Sequence, residues 1–285
     1  MKIKETKRYI YGLAGYPLGH SVSPFIHRAL FEISNIDASY GLVETPPEKL
    51  GESFKDTLSA LRGFNVTIPH KTEIIKYLDE LSPRAELFGA VNTVDVREDK
   101  IVGHNTDCAG FLSSLKSADI ELGGNVLLLG AGGVARMIAF EAVLADSNLT
   151  IAVRKDDLSQ AQKIKNEIKE KLSKDCKIIL LEEARGGYDL VVNGTPVGMF
   201  PKVDACPVSK EVVTGSKAVF DVIYNPRETV FLRYAREAGV KYCGGLSMLV
   251  WQAAVAQEIW NGVKFSNEDI DKVIELTQKE LEKNE

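Results

Sequence analysis

The sequence predicts a two-domain α/β protein, and three observations carry that expectation. Strand and helix patterns alternate over the N-terminal third of the chain. The alternation restarts after Gly123-Gly124 with an apolar strand and a glycine-rich turn. The chain then ends in helical patterns without a strand. A length of 285 residues is also long for a single core.

Each element follows from local signals. Tyr9 to Ala14 reads as a strand ending at Gly15. Ser21-Val22-Ser23-Pro24 opens a helix through His27, Leu30 and Phe31, with Ser23 as its cap and proline at the first helical position. Ala38 to Val43 is a second strand, Lys49 to Leu61 a helix, and Gly63 to Ile68 a third strand closed by Pro69. Helices follow from Thr72 and from Pro83. Ala90 to Arg97 and Lys100 to His104 make a hairpin turning at Glu98-Asp99, and a helix runs from Asp107 to Ala118. Asn125 to Leu129 is a strand apolar at every position after Asn125, as burial on both faces requires. Helices at Gly133 to Ala145 and Leu158 to Leu172 alternate with strands at Leu149 to Val153, Lys177 to Leu181, Leu190 to Asn193, Ala218 to Val222 and Val240 to Cys243. That is the spacing of a doubly wound parallel sheet. Leu246 to Trp260 is apolar almost all round and should be buried, and Ser266 with Asp269 forms a capping box for the last helix.

Composition narrows the function. Hydrophobic residues make up 45 % and charged residues 26 %, as in ordinary globular proteins, and the net charge is −5. That charge argues against a nucleic-acid partner. Cys108, Cys176, Cys206 and Cys243 lack paired spacing, and the histidines show no ligand pattern, so neither a metal site nor a disulfide framework is expected. No secretory leader is read at the N-terminus and no apolar run is long enough for a membrane span, so the reading is of a cytoplasmic protein.

Gly130-Ala131-Gly132-Gly133-Val134-Ala135 has the pattern G-x-G-x-x-A between a strand and a helix. Gly130 permits the tight turn, Gly132 lets a pyrophosphate approach the backbone, and Ala135 lets helix and strand pack closely. The next strand ends in Val153-Arg154-Lys155-Asp156. Arg154 and Lys155 favour the 2′-phosphate of NADP, whereas Asp156 suits the ribose hydroxyl of NAD. The reading is NADP, with NAD left open.

Polar residues gather at strand ends in the N-terminal third. Ser21 and Ser23 would point the same way in an extended segment and could bind one carboxylate. Asn65 and Thr67 share one strand face ahead of Lys71. Asn92-Thr93 and Asn105-Thr106-Asp107 each follow an apolar strand. Alone, Lys71 reads as a surface lysine and Asp107 as a helix cap. Their number beside a dinucleotide turn favours a ligand site. Gln252 stands in the otherwise apolar Leu246–Ala256 run and needs a partner, either backbone or a substrate hydroxyl.

Ser21-x-Ser23-Pro24-x-x-His27, Asn65-Val66-Thr67-x-Pro69-x-Lys71, Gly89-Ala90-x-Asn92-Thr93, Asn105-Thr106-Asp107-x-x-Gly110, the Gly130 turn, Asn193-Gly194-Thr195-x-x-Gly198-Met199, Asp221-x-x-Tyr224 and Met248-Leu249-x-x-Gln252 occur in order. Together they resemble the shikimate dehydrogenase family, including its quinate/shikimate relatives. The resemblance implies a substrate domain, 1–110 with 246–285, a Rossmann-type NADP domain, 111–245, and an active site in the cleft. It implies reversible reduction of 3-dehydroshikimate to shikimate, on the route to aromatic amino acids, with Lys71 as acid/base beside Asp107. Ser21, Ser23 and Tyr224 would hold the carboxylate. Asn65, Thr67, Asn92, Asp107 and Gln252 would meet ring hydroxyls. Thr195, Met199, Val222 and Gly245 would line the nicotinamide side. Ala135, Val153, Lys155-Asp156, Trp251, Gly244 and Ser247 depart from common family residues. The change at Ala135 should matter little, whereas Lys155-Asp156 and Trp251 look more like the quinate/shikimate relatives, so the departures bear on cofactor choice more than on chemistry and leave quinate and NAD as alternatives. A non-catalytic sensor on the same fold is disfavoured by the presence of Lys71 and Asp107. A homodimer is left open.

Overall fold

The computed structural model describes residues 9–19 and 21–283. Residues 1–8, where no leader pattern is read, lie outside that range. The chain divides into two compact units, one running up to Ala109 and resuming at Gln252, the other Gly110–Trp251.

The first unit holds β1 (Tyr9–Gly15), α1 (Ser23–Ile33), β2 (Ala38–Glu44), α2 (Leu50–Asp56), β3 (Gly63–Val66), β4 (Glu80–Leu81), α3 (Pro83–Phe88), β5 (Thr93–Val96) and β6 (Ile101–His104). Its sheet runs β2-β1-β3-β5-β6-β4. β1 is parallel to β2 and β3, while β5 is antiparallel to β3 and β6. The ends of β1, β3 and β6 and the start of β5 therefore share one edge. Ala14, Phe64, Val66, Val91 and Val94 bury one side of this sheet with Leu50, Leu58 and Ile74.

α4 (Thr106–Ser117) leaves the first unit. The second unit contains β7 (Asn125–Leu129), α5 (Gly133–Leu144), β8 (Asn148–Val153), α6 (Leu158–Leu172), β9 (Lys177–Leu180), β10 (Leu190–Asn193), α7 (Lys210–Thr214), β11 (Ala218–Asp221), α8 (Val230–Ala238) and β12 (Lys241–Gly244). Its sheet is parallel throughout, in the order β12-β11-β10-β7-β8-β9. The strand order reverses between β7 and β10, which is where doubly wound sheets bind ligands.

α9 (Gly245–Asn261) begins in the second unit and enters the first at Gln252, and α10 (Asn267–Glu282) completes the first unit. Trp260 stacks on Tyr11 with centroids 4.8 Å apart, and its indole N–H donates to the Val94 carbonyl. Ser266 and Asp269 close the expected capping box.

Several local expectations are corrected. The helix expected from Lys49 to Leu61 is broken, because Thr57 leaves helical geometry at φ −132° and short 3-10 turns flank α2. The segment after Thr72 is a 3-10 turn, Glu73–Tyr77. β3 stops at Val66, so Thr67 and Ile68 lie beyond the strand. Ser23 is not the cap of α1. It is the first helical residue, and Val22 takes the cap position with φ −87° and ψ 1°, so the segment is not extended. α7 and α8 are additional to the expected elements.

Among the described residues, no helix is long and apolar enough to cross a membrane, and no cluster of metal-ligating side chains occurs.

Candidate active site

The shared edge of the first sheet carries most of the expected substrate residues. Lys71 follows β3, and Asp107 lies in the first turn of α4, directly after β6. Lys71 Nζ donates to Asp107 Oδ2 at 2.6 Å. The other carboxylate oxygen, Oδ1, accepts from Asn92 Nδ2 at 2.8 Å. Asp107 does not cap the helix. Asn105 does so, its Oδ1 accepting from Cys108 N at 3.3 Å while its Nδ2 donates to the Ala90 carbonyl. Asp107 is thereby released for Lys71. Both side chains are partly open to solvent, 31 % and 19 % exposed.

Asn92 is buried, and its amide is committed on both sides. Nδ2 also donates to Thr106 Oγ1 at 3.0 Å, and Oδ1 accepts from Thr106 N at 2.6 Å. Asn65 is buried as well, with Oδ1 accepting from Tyr40 Oη at 2.8 Å. The Tyr40 ring stacks on His27 at 4.0 Å, and burial pushes the His27 pKa down to about 3, so this imidazole is neutral.

Ser21 and Ser23 stand together after β1. Ser21 Oγ accepts from Ser23 N at 3.3 Å, which bends the segment into α1. Thr67 is half-buried, and its backbone N–H donates to the Ala14 carbonyl. Gln252 is buried on α9, within the same unit. Tyr224 belongs to the second unit, where burial raises its phenol pKa.

The second unit presents its glycine turn at the switch point. Gly130 has φ +96°, and a Cβ there would lie 2.8 Å from Thr195 Cγ2. The turn after β7 and the turn after β10 thus meet. A Cβ on Gly194 would lie 3.0 Å from Ala135 Cβ, so α5 packs against the end of β10 only because both residues are small. Gly132 caps α5 without a side-chain hydrogen bond. Gly132, Gly133 and Val134 are exposed, while Ala131 and Ala135 are buried. An open helix N-terminus without a side-chain cap, behind a glycine turn, fits a pyrophosphate. Arg154, 73 % exposed, pairs with Asp157 at 2.8 Å, and Lys155 and Asp156 are exposed beside it. Two cations on an open strand end fit a further phosphate.

Sequence reasoning missed the network behind the residues expected to line the nicotinamide side. Asn193 Oδ1 accepts from Thr195 N and Oγ1 at 3.0 and 2.7 Å, and its Nδ2 donates to Asp221 Oδ1 at 3.0 Å. Asp221 also accepts from Ile223 N and from Thr229 Oγ1. Burial pushes the Asp221 pKa up to about 6, against these three donors. This network fixes the loops bearing Thr195, Met199, Val222 and Tyr224. Gly245 N donates to the Ile223 carbonyl at 3.1 Å. The Asn193 and Asp221 motifs were visible in the sequence, but nothing there showed that the two side chains meet.

An all-parallel sheet with a glycine turn at its switch point, and a lysine–aspartate pair on a second α/β unit, define a dinucleotide-dependent oxidoreductase. The family model described as the shikimate dehydrogenase substrate binding domain matches residues 13–94. The shikimate dehydrogenase (NADP(+)) of Caldanaerobacter subterraneus subsp. tengcongensis is 40 % identical over 94 % of this chain and 96 % of its own length. That of Methanocaldococcus jannaschii is 41 % identical over 94 % of this chain and 98 % of its own. The chain belongs to the shikimate dehydrogenase family. Among solved structures, the Thermus thermophilus shikimate 5-dehydrogenase in complex with NADP(H) and shikimate is 34 % identical, with a TM-score of 0.83 over 94 % of this chain and 99 % of that one. The Listeria monocytogenes enzyme in complex with shikimate and NAD is also 34 % identical, with a TM-score of 0.83 over 97 % and 99 %.

Proposed function

We propose that this chain is an NADP-dependent shikimate dehydrogenase that interconverts 3-dehydroshikimate and shikimate. The observation that carries the reading is the Lys71–Asp107 pair, 2.6 Å apart at a sheet edge rich in hydroxyl-binding side chains, in a chain of this family. NADP(H), when bound, supplies or accepts the hydride. The glycine turn and the α5 N-terminus hold its pyrophosphate, and Arg154 and Lys155 its 2′-phosphate.

In the reducing direction, the ketone carbon gains a hydride and its oxygen gains a proton. Lys71 Nζ delivers that proton and stabilises the negative charge that develops on the oxygen. Asp107 holds the ammonium in position and accepts from the neighbouring ring hydroxyl, while Asn92 fixes the rotation of the carboxylate. The hydroxyls of Ser21 and Ser23 receive the substrate carboxylate. Asn65, Thr67 and Gln252 meet ring hydroxyls. Neutral donors suffice for one carboxylate, consistent with a net charge of −5.

The Asp156 carboxylate beside Arg154 supports a second reading, in which NAD and quinate are also used. Steady-state kcat/KM with shikimate and quinate, each with NADP+ and NAD+, tests both. Shikimate with NADP+ should be the best combination. Higher kcat/KM with NAD+ overturns the cofactor assignment, and absence of turnover with shikimate overturns the function.

A further inference from the structure

The site's two amides do not stand independently. Asn65 lies opposite Thr93 in the antiparallel register of β3 and β5. Its two amide protons go to the Asn92 carbonyl at 3.1 Å and to Thr93 Oγ1 at 2.9 Å. Its oxygen takes the Tyr40 hydroxyl proton. Thr93 Oγ1 lies 2.9 Å from Thr106 Oγ1 and 3.3 Å from Asn92 Oδ1. Thr106 in turn binds the Asn92 amide, which holds Asp107. A continuous hydrogen-bonded path therefore runs from Tyr40 through Asn65, Thr93, Thr106 and Asn92 to Asp107 and Lys71.

We infer that Thr93 is a positioning residue for the reaction. Its hydroxyl couples the orientation of Asn65 to that of Asn92 and Asp107. Thr93 is fully buried and cannot itself meet a ligand, so it acts only through these neighbours. Donor counting explains why a hydroxyl is required. An amide can rotate by half a turn and exchange its donor and acceptor ends. Asn65 is held in one orientation because its N–H side faces two acceptors and its oxygen faces a donor. Removing the Thr93 oxygen leaves a buried N–H without its acceptor and cuts the path to Thr106.

This inference rests on the proposed function, and the test separates the two. Thr93→Val keeps the shape and removes the hydroxyl, while Thr93→Ser keeps the hydroxyl. Thr93→Ala carries the same expectation as valine and serves if the valine variant does not fold. Steady-state kinetics are measured with shikimate and NADP+ on each variant. We expect kcat/KM for shikimate to fall about tenfold in Thr93→Val, with KM for NADP+ unchanged, and to recover to within about threefold of wild type in Thr93→Ser. A general loss of folding would move both Michaelis constants or the active fraction, and would not be reversed selectively by serine. Unchanged kcat/KM for shikimate without the hydroxyl overturns the inference, as does a serine variant as impaired as the valine one. A wild-type chain without shikimate turnover overturns the proposed function and this inference with it.

Discussion

Replacing Lys71 by alanine separates chemistry from stability, because the structure assigns very different magnitudes to the two. The Lys71–Asp107 pair is short, at 2.6 Å, but its side chains are 31 % and 19 % exposed. Solvent-screened pairs contribute about 0–1 kcal/mol to folding. Asp107 retains its Asn92 donor and its access to water, so the orphaned carboxylate stays solvated. The melting temperature should therefore fall by only a few degrees at most. A positioned general acid, in contrast, is worth roughly 10²- to 10⁴-fold in rate, or about 3–5 kcal/mol of barrier. Lys71→Ala should thus lose at least about a hundredfold in kcat, with little change in KM for shikimate. Lys71→Arg keeps the cation but cannot release a proton, so it should remain similarly slow. The assay is steady-state reduction of NADP+ by shikimate, with thermal unfolding measured in parallel. A Lys71→Ala enzyme with kcat within tenfold of wild type and an unaltered melting temperature would refute the assignment.

Two further perturbations test the second unit. In Gly130→Ala, the new Cβ sits at φ +96° and 2.8 Å from Thr195 Cγ2, so KM for NADP+ should rise at least about tenfold; an unchanged KM contradicts the glycine-turn assignment. Asp221 gives a pH signature. Below about pH 4 both folded and unfolded forms carry its proton and it contributes nothing. Between the ordinary value of 3.8 and about 6 the unfolded form ionises first, so stability falls as pH rises, by up to about 3 kcal/mol. Denaturation of wild type and Asp221→Asn across pH 4 to 7 should show wild type losing stability relative to the variant over that window, and parallel curves would exclude the effect.

The sequence revealed whatever is written in local order. The glycine turn, the apolar strands of the second sheet and the Ser266 capping box depend on neighbouring residues, and each occurs as expected. α8 carries legible local signals: Thr229 caps it by accepting from Leu232 N, and Gly239 closes it in the left-handed region. The pairing of Lys71 with Asp107 is implied only by the family resemblance and not by local order, because it depends on β3 and β6 ending at one sheet edge. Local order does not settle Asn105 either. Its capping role decides that Asp107 is available, yet either residue could have capped the helix on sequence grounds. Ser23 shows the opposite error, since a serine before proline read as a cap is in fact the first helical residue.

The central claim is that this chain moves a hydride between NADP and the ring carbon of shikimate, with Lys71 supplying the proton. The most direct measurement uses NADPH deuterated at the transferable position of the nicotinamide, 3-dehydroshikimate as acceptor, and mass spectrometry of the product. The predicted product is shikimate carrying a single deuteron on the carbon that bears the new hydroxyl. Failure to form shikimate, or shikimate without that deuteron, would contradict the claim.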